Sequence, residues 1–569
     1  MTDTTSPHPL VQAHLGVLEQ GRDLLTARGF LSRYPEVPSA RHYGETAAAD
    51  GRAAYEARLN ARFTGLDDQP GDGTDVGDEV SPYGPVLGVR YPHLDLDAAV
   101  AAAQAALPAW RDAGPTLRAA VLVEVIERLH RRSFELAEAV MHTTGQSWVM
   151  AFQAGGPHSQ DRALEATVAA WVEQLRVAST TLWEKPQKDA PIRMRKDYRI
   201  VPRGIALMVG CNTFPTWNGY PGLFASLATG NPVLVKPHPR AILPLAITVQ
   251  VIREVLAEQG FDPAIVQLAP EGDGEGLAKT IAQRPEVAIV DYTGGPAFGH
   301  WLMAHCGATG KRLYAEQAGV NSIVVDSTDN LRGMLFNLAF SLSLYTGQMC
   351  TAPQNIYVPP TVATDQGELS FDDVAQRLAG AIAKLTGDDA KAVDVIGATV
   401  NPQVRAHADA HAELAASAPS GHGQVVLASR RVTHPAYPDA VCRTPGLVAL
   451  DAADQQVYTK EWFGPVAFLV RTESTEQSLQ MFTSTIREHG AITGAVYSTD
   501  ETVLDAARDA AAAAAVNLSE NLTQGIFVNQ AAAFSDYHAT GGNPAANASY
   551  ADAAFVTGRF VVVAARRHV

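Results

Sequence analysis

Two side chains in this sequence have the types and surroundings that acyl chemistry needs. Cys350 lies in the run YTGQMCTAPQN, flanked by Gly347 and Gln348 on one side and Thr351 and Ala352 on the other. Glu316 lies upstream, in AEQAG. A thiol attacks as its thiolate, and a free cysteine has a pKa near ~8.5, so Cys350 needs an activating environment. Glu316 could accept the proton of a water that releases an acyl group from sulfur. A lone cysteine is more often a small buried hydrophobe, so the pair alone leaves both readings open.

The elements that would have to position this pair are legible as two α/β regions. From residue 204 the apolar strands GIALMVG, PVLVK, IVQLAP and VAIVDYT alternate with helices WNGYPGLFASLATG, LPLAITVQVIREVLAEQG, GEGLAKTIAQ and PAFGHWLMAHCG. Continuous apolar strands alternating with helices predict a parallel sheet of βαβ units, with ligands beyond the carboxyl ends of its strands. After about residue 312 a second α/β region is expected. It has strands RLYAEQ and SIVVD, an apolar helix leading into Cys350, NIYVP, helices near 371–386 and 472–489, then AITGAVYS and IFVN.

Upstream, residues 1 to about 90 read as an extension wrapping the body, with a Gly-, Asp- and Pro-rich loop, DDQPGDGTDVGDEVSPYGP. Two helices follow, DLDAAVAAAQAALPAWRDAG and PTLRAAVLVEVIERLHRRSFELAEAVMHTTG, and a third covers roughly 158–182. IRMRKDYRIVPRG alternates basic and apolar residues as an exposed strand or hairpin would. The C-terminal RFVVVAARRHV reads as a strand able to join a neighbouring subunit's sheet.

A chain of 569 residues is too long for one core. Its 46% hydrophobic and 18% charged content describes a globular protein, and a net charge of −16 with no basic block argues against nucleic acid. No run has the length and apolarity of a membrane span, and MTDTTSPHPL lacks the regions of a signal peptide. Four cysteines without C-x-x-C spacing give neither a zinc site nor a disulfide framework, which suits a cytoplasmic protein. His407 and His411 stand at i and i+4, but no third ligand has matching spacing. They read as a solvated helix face, and no metal is expected. Cys306 reads as core.

DYTGGPAFG follows a buried strand and opens a helix, with Gly294, Gly295 and Gly299 at the turn and Pro296 near its first helical position. Glycines let the backbone approach a pyrophosphate, and the free N–H groups of the helix start attract its charge. The turn is not the G-x-G-x-x-G fingerprint, so a plain strand-to-helix turn is equally compatible.

AEQAG followed by GQMC resembles the Glu-x-x-Gly and Gly-Gln-x-Cys motifs of the aldehyde dehydrogenase superfamily. The likeness extends over roughly residues 95–560 through NTFP at 212–215, GNPVLVKPHP, the glycine turn and EWFGP at 461–465, all in the family's order. It implies an α/β fold of the aldehyde dehydrogenase type: a Rossmann-type cofactor domain, an α/β catalytic domain and a small β oligomerisation element. The corresponding spans are 1–90 (extension), 91–184 with 201–312 (cofactor domain), 313–530 (catalytic domain), and 185–200 with 531–569 (oligomerisation element).

By the same resemblance Cys350 attacks an aldehyde carbon, hydride passes to a nicotinamide, and Glu316 activates the water that hydrolyses the thioester. Glu461 holds the nicotinamide ribose, Phe463 backs its ring, and Lys236 binds the adenosine ribose. The family's oxyanion-hole Asn aligns with Thr213, with Asn212 one residue before; either could donate, and the amide of Asn212 is the better donor. Many NAD-using members carry an acidic residue where this chain has Pro239, between His238 and Arg240. A cation in place of a carboxylate accepts a 2′-phosphate, so the expected cofactor is NADP, with NAD the alternative.

The divergent forms AEQAG and NTFP, with the long N-terminal extension, look most like the phenylacetic acid degradation protein PaaN group. That relation implies a semialdehyde of aromatic catabolism, linked to coenzyme A, oxidised to the acid by a homodimer or dimer of dimers. The relatives' C-terminal hydratase-type domain is not expected within 569 residues. Two other readings stand beside it: a coenzyme A-acylating dehydrogenase independent of Glu316, and a catalytically weak binding or scaffold protein.

Overall fold

In the computed structural model residues 8–30, 32–272, 274–317, 319–530 and 536–569 are described. The first sheet has five parallel strands in the order Val266–Leu268, Val233–Lys236, Ile205–Val209, Val287–Thr293, Arg312–Glu316. The chain leaves the central strand Ile205–Val209 in one direction and returns on its other side at Val287–Thr293. That reversal opens a crevice at the carboxyl ends of the strands. Helices cover both faces, so the strands are buried almost throughout, as the continuous apolar runs require.

The second sheet has seven strands, in the order Gln424–Leu427, Gly446–Asp451, Val466–Arg471, Asn355–Val358, Ser322–Val325, Thr493–Tyr497, Asn517–Glu520. All neighbours are parallel except Gln424–Leu427, which pairs antiparallel with Gly446–Asp451. Ile323 and Val325 enter one core with the helices Leu331–Ser343 and Phe371–Thr386. Val324 enters the opposite one, beside Thr475–His489 and Glu501–Ala514.

Three sequence expectations change here. Arg312–Glu316, expected to open the second region, is instead the edge strand of the first sheet, so Glu316 and Cys350 reach the site from different sheets. The long helix expected after Pro115 breaks at Arg132 into Gly114–Arg131 and Ser133–Thr144. IFVN forms no strand; Val528–Gln530 is a short 3-10 turn.

The extension before residue 90 belongs to the first core. Leu18, Tyr34, Tyr55, Phe63 and Leu66 are buried in it. The Gln69 amide pairs with both backbone groups of Leu268, at 2.7 Å each, and so closes the free edge of the first sheet. Glu79 accepts the N–H groups of Ile242 (2.6 Å) and Leu243 (3.1 Å), where the helix Leu243–Glu258 begins.

A third, antiparallel sheet projects from the body, in the order Phe560–His568, Ile192–Pro202, Thr180–Lys185. Its C-terminal strand pairs along its whole length with Ile192–Pro202 of its own chain and forms one edge of the sheet. Arg559 anchors the base of that strand. Its buried guanidinium donates to Asp291 at 2.6 and 2.8 Å and to Ser226 Oγ at 2.7 Å. The arms of this sheet leave Leu182, Trp183 and Val561–Val563 exposed.

Candidate active site

A cleft of about 750 Å³ lies where the carboxyl ends of the first sheet face the loops of the second. Every strand of the first sheet contributes at or just beyond its end: Val209 and Gly210; Lys236 and His238; Glu271; Tyr292 to Gly295; Glu316 and Gln317. The second region contributes Cys350, Val400, Asn401, Gln403, Val404, Glu461 and Phe463.

Cys350 is presented by a backbone that ordinary helix geometry cannot supply. After the helix Leu331–Ser343 the chain turns through Tyr345 (φ 52°), Thr346 (φ 59°) and Gly347 (φ 67°), all left-handed. Such residues are strained and persist only where their surroundings hold them. The Tyr345 hydroxyl donates to Thr144 O. Thr346 Oγ1 donates to Ile396 O (2.7 Å), and its second acceptor is Arg443 O (3.1 Å). A side chain on Gly347 would put Cβ 2.4 Å from Gly464 O, inside the EWFGP turn. Gln348 is completely buried: Nε2 donates to Tyr345 O and Ala398 O, and Oε1 accepts from Val400 N at 2.7 Å. Asn321 Nδ2 then donates to Cys350 O at 2.7 Å while its Oδ1 takes the N–H groups of Ile492 and Thr493. The Gly-Gln-x-Cys spacing is a scaffold requirement before it is a chemical one.

Glu316 is 3% exposed. Its Oε2 lies 3.0 Å from Nε2 of His538 and 3.5 Å from the amide nitrogen of Asn218, and its Oε1 is buried with no hydrogen-bond partner. Burial works to raise the Glu316 pKa. The His538 ring beside it and hydrogen bonds from His538, Cys350 and Tyr550 outweigh it, so the net shift is downward. The Cys350 thiol is pushed well up, first by burial and then by the charge of Glu316. His538 Nε2 stands 3.9 Å from Cys350 Sγ. The donor atoms of Glu316, Cys350 and His538 all fall within 4.8 Å of one another, close enough to hold a thiophilic cation.

The residues expected to face a nucleotide divide. Gly294 and Gly295 line the cleft, and Gly295 precedes the helix Pro296–Thr309. Gly299 does not; it gives room to Gln317, whose Oε1 a Cβ would meet at 2.4 Å. Lys236 and Glu271 form a buried ion pair, and Glu271 also accepts Leu277 N at 2.7 Å. Pro239 lines the cleft, while Arg240 is exposed and outside the lining. Burial, then the neighbouring Lys236, lowers His238 to about 4, so it is uncharged at neutral pH. Glu461 accepts Gly319 N at 3.3 Å, and burial raises its carboxyl to about 7.

Asn212 and Thr213 both line the cleft. The Asn212 amide donates to Thr143 O at 3.4 Å, and the Thr213 hydroxyl lies 4.0 Å from Cys211 Sγ. His411 is buried, not on a solvated face as expected: its Nε2 is 3.0 Å from Pro465 O, and His407 Nδ1 is 2.9 Å from Phe463 O. The two histidines brace the EWFGP turn. Cys306 is buried core. Reading the sequence missed His538, Asn218, Tyr550 and Glu271, none of which stands in a motif. Glu271 alone had a local signal, an acidic residue directly after a strand of the first sheet.

Residues 90–550 match the model of the aldehyde dehydrogenase family. A crystal structure of an NAD-dependent aldehyde dehydrogenase from Burkholderia multivorans is similar at TM-score 0.95 and 52% identity, covering 99% of each chain. N-succinylglutamate 5-semialdehyde dehydrogenase of Chromobacterium violaceum is 28% identical over 400 residues, 68% of this chain and 74% of that protein. A 1-pyrroline-5-carboxylate dehydrogenase from Thermus with bound NAD shares the fold, at TM-score 0.75 and 18% identity over 95% of this chain and 99% of that one.

The shifts at Cys350 fix the sign of a labelling experiment. A thiol pKa raised by burial and by Glu316 means that the reactive thiolate is scarce at neutral pH and grows as pH rises. Iodoacetamide labelling of Cys350 in the cofactor-free protein, followed by mass spectrometry, is therefore expected to be slow at pH 7 and still increasing beyond pH 9. Glu316→Gln removes the like charge and is expected to raise the rate at any given pH.

Proposed function

Because the chain belongs to the aldehyde dehydrogenase family, we propose that it oxidises an aldehyde to a carboxylic acid through a thioester on Cys350, with hydrolysis by Glu316. One observation carries this reading. Glu316 and Cys350, delivered by different sheets, converge on one cleft with the Glu316 Oε1 acceptor left without a partner. Cys350 Sγ adds to the aldehyde carbon as a thiolate whose proton has gone to solvent, so Glu316 stays ionised for the later attack of water. The bound nicotinamide supplies the acceptor for the hydride. Phe463 and Glu461 line the side of the cleft from which that ring would be held, and Lys236, Gly294 and Gly295 line the part suited to the rest of a dinucleotide. Asn212 and Thr213 remain the donors for the developing oxyanion, a contribution worth about 10²–10³ in rate where the geometry is right.

The expectation of NADP rested on the missing carboxylate at Pro239. Glu271 brings a carboxylate to Lys236 from the neighbouring strand, His238 is neutral, and Arg240 stands outside the cleft. These features favour ribose hydroxyls over a 2′-phosphate, and we read the cofactor as NAD, with NADP the weaker ligand. The aldehyde side borders an apolar cluster of Phe214, Leu344 and Tyr345 with Trp217, Phe340 and Met349. This suits a semialdehyde with an apolar or aromatic-derived body. A coenzyme A thioester of phenylacetate-type catabolism is the specific candidate that the PaaN-like motifs suggest. A poised Glu316 speaks for hydrolysis over transfer to coenzyme A. We further propose a homodimer or dimer of dimers built through the projecting three-stranded sheet, whose exposed Trp183 and valines would be covered there. The proposed division is a cofactor domain on the first sheet, including Arg312–Glu316, and a catalytic domain on the second. A cytoplasmic location fits the four free cysteines.

The assay uses purified protein, NAD or NADP and a panel of semialdehydes, including coenzyme A thioesters, with reduced cofactor as the signal. Turnover is expected without free coenzyme A. It should vanish in Cys350→Ala and stall near one equivalent in Glu316→Gln. Turnover that needs free coenzyme A and survives Glu316→Gln would contradict hydrolysis. Nucleotide binding with no reduced cofactor from any aldehyde would favour the scaffold reading.

The cofactor preference is tested by fluorescence titration with each dinucleotide. The wild type is expected to bind NAD more tightly than NADP, and Glu271→Gln to narrow the ratio by roughly tenfold, ~1.4 kcal/mol. Tighter binding of NADP by the wild type would overturn the assignment.

A further inference from the structure

His538 lies in no motif of the sequence, yet it is the closest partner of the candidate base. It is 1% exposed, and Trp217 packs edge-on to its ring at 4.7 Å while Tyr550 stacks on it at 5.1 Å. Tyr550 is tied in turn to Thr293, at the end of a first-sheet strand, by a 3.0 Å hydroxyl contact. The ring therefore has one orientation, with Nε2 3.0 Å from Glu316 Oε2 and 3.9 Å from Cys350 Sγ. Its other nitrogen, Nδ1, is buried with no hydrogen-bond partner.

That orphan decides where the proton sits. A buried N–H without an acceptor is rarer and costlier than a lone pair without a donor. A proton on Nδ1 would be stranded, and Nε2 would then turn a lone pair towards a carboxylate. A proton on Nε2 satisfies Glu316 and leaves only a lone pair unmatched. With Nε2 occupied, His538 cannot be the acceptor for the Cys350 proton, although it stands near the sulfur.

We propose that His538 is a positioning residue for the hydrolytic half-reaction: its Nε2–H holds Glu316 Oε2, so that Oε1 alone is left to take the proton of the attacking water. The proposal rests on the reading of Cys350 and Glu316 as a thioester-forming and hydrolysing pair. In the step it serves, a water O–H bond breaks and the proton goes to Oε1. The oxygen bonds to the thioester carbonyl carbon, the C–S bond breaks, and the electron pair returns to Sγ as thiolate. The acid leaves, and Oε1 later returns its proton to solvent. His538 serves twice. It keeps a carboxylate ionised where burial favours the neutral acid, and it places an N–H beside the thiolate as the sulfur departs.

The test compares His538→Leu and His538→Gln with the wild type by stopped flow, in EDTA, at saturating aldehyde and NAD. His538→Leu is expected to give a burst near one reduced cofactor per chain, followed by a steady rate lowered by about 10². His538→Gln keeps a donor and is expected to recover at least about tenfold of that loss. A purely structural role would lower burst and steady rate together, by loss of active sites, with no rescue by Gln. A steady rate per burst site equal to wild type, or a burst slowed as much as the steady rate, would overturn the proposal. Should His538→Leu fail to fold, His538→Asn, whose amide is too short to span to Oε2, takes its place. A wild type with no reduced cofactor from any aldehyde would remove the underlying reading. Wild-type turnover with unaffected His538 variants would remove this assignment alone.

Discussion

The backbone contact between Gly347 and Gly464 is the constraint on which the rest of the site depends. With no room for a Cβ between them, the turn before Cys350 and the EWFGP turn lock together main chain to main chain. Cys350 and the carboxylate of Glu461 are thereby fixed in one rigid piece. Three successive left-handed residues are costly, of order 1–3 kcal/mol each outside glycine. The hydrogen bonds of Tyr345, Thr346 and Gln348 to buried backbone hold the turn in place. His407 and His411 brace the other turn from behind. A helix that ran straight into Cys350 would not point the thiol at the first sheet.

The opposite wall is rigid for a different reason. Glu316 ends the edge strand of the first sheet, buried at this end, and its bridge to Ala546 covers that edge there. The cleft thus lies between two stiff bodies, and its chemistry is decided by few buried charges. Lys236 and Glu271 neutralise one another at the far end. Glu461 is pushed towards the neutral acid by burial and by the charge of Glu316. At Glu316 the same push is opposed by His538, Cys350 and Tyr550. The carboxylate of Glu316 adds to burial in raising the Cys350 thiol pKa, so the two groups oppose each other. An N–H shared between them is the arrangement that lets both stay.

Much of this was legible in the sequence because periodicity and motif order report it. The βαβ alternation after residue 204 became the first sheet, and AEQAG, GQMC and EWFGP, singled out by their resemblance to family motifs, lie in segments that line one cleft. What stayed hidden was set by tertiary pairing. RLYAEQ looks like any strand, and nothing local says that it joins the sheet before it and not the one after. His411 reads as solvated on a helical wheel because the wheel does not show the Pro465 carbonyl above it. Pro239 signalled a missing carboxylate, and the carboxylate that pairs with Lys236, Glu271, comes from another strand. His538 follows a stretch without helical or strand period, and only the fold brings it to Glu316.

The central claim, that an acyl group passes through Cys350 and is released by Glu316, is tested most directly by acid-quenching the working enzyme and weighing its peptides. Glu316→Gln, mixed with NAD and a reactive semialdehyde and quenched within the first turnover, should carry the aldehyde's acyl group on the peptide containing Cys350. The wild type should carry far less of it under the same conditions. Product acid accumulating with no adduct on Cys350, or an adduct on Cys211 instead, would contradict the account.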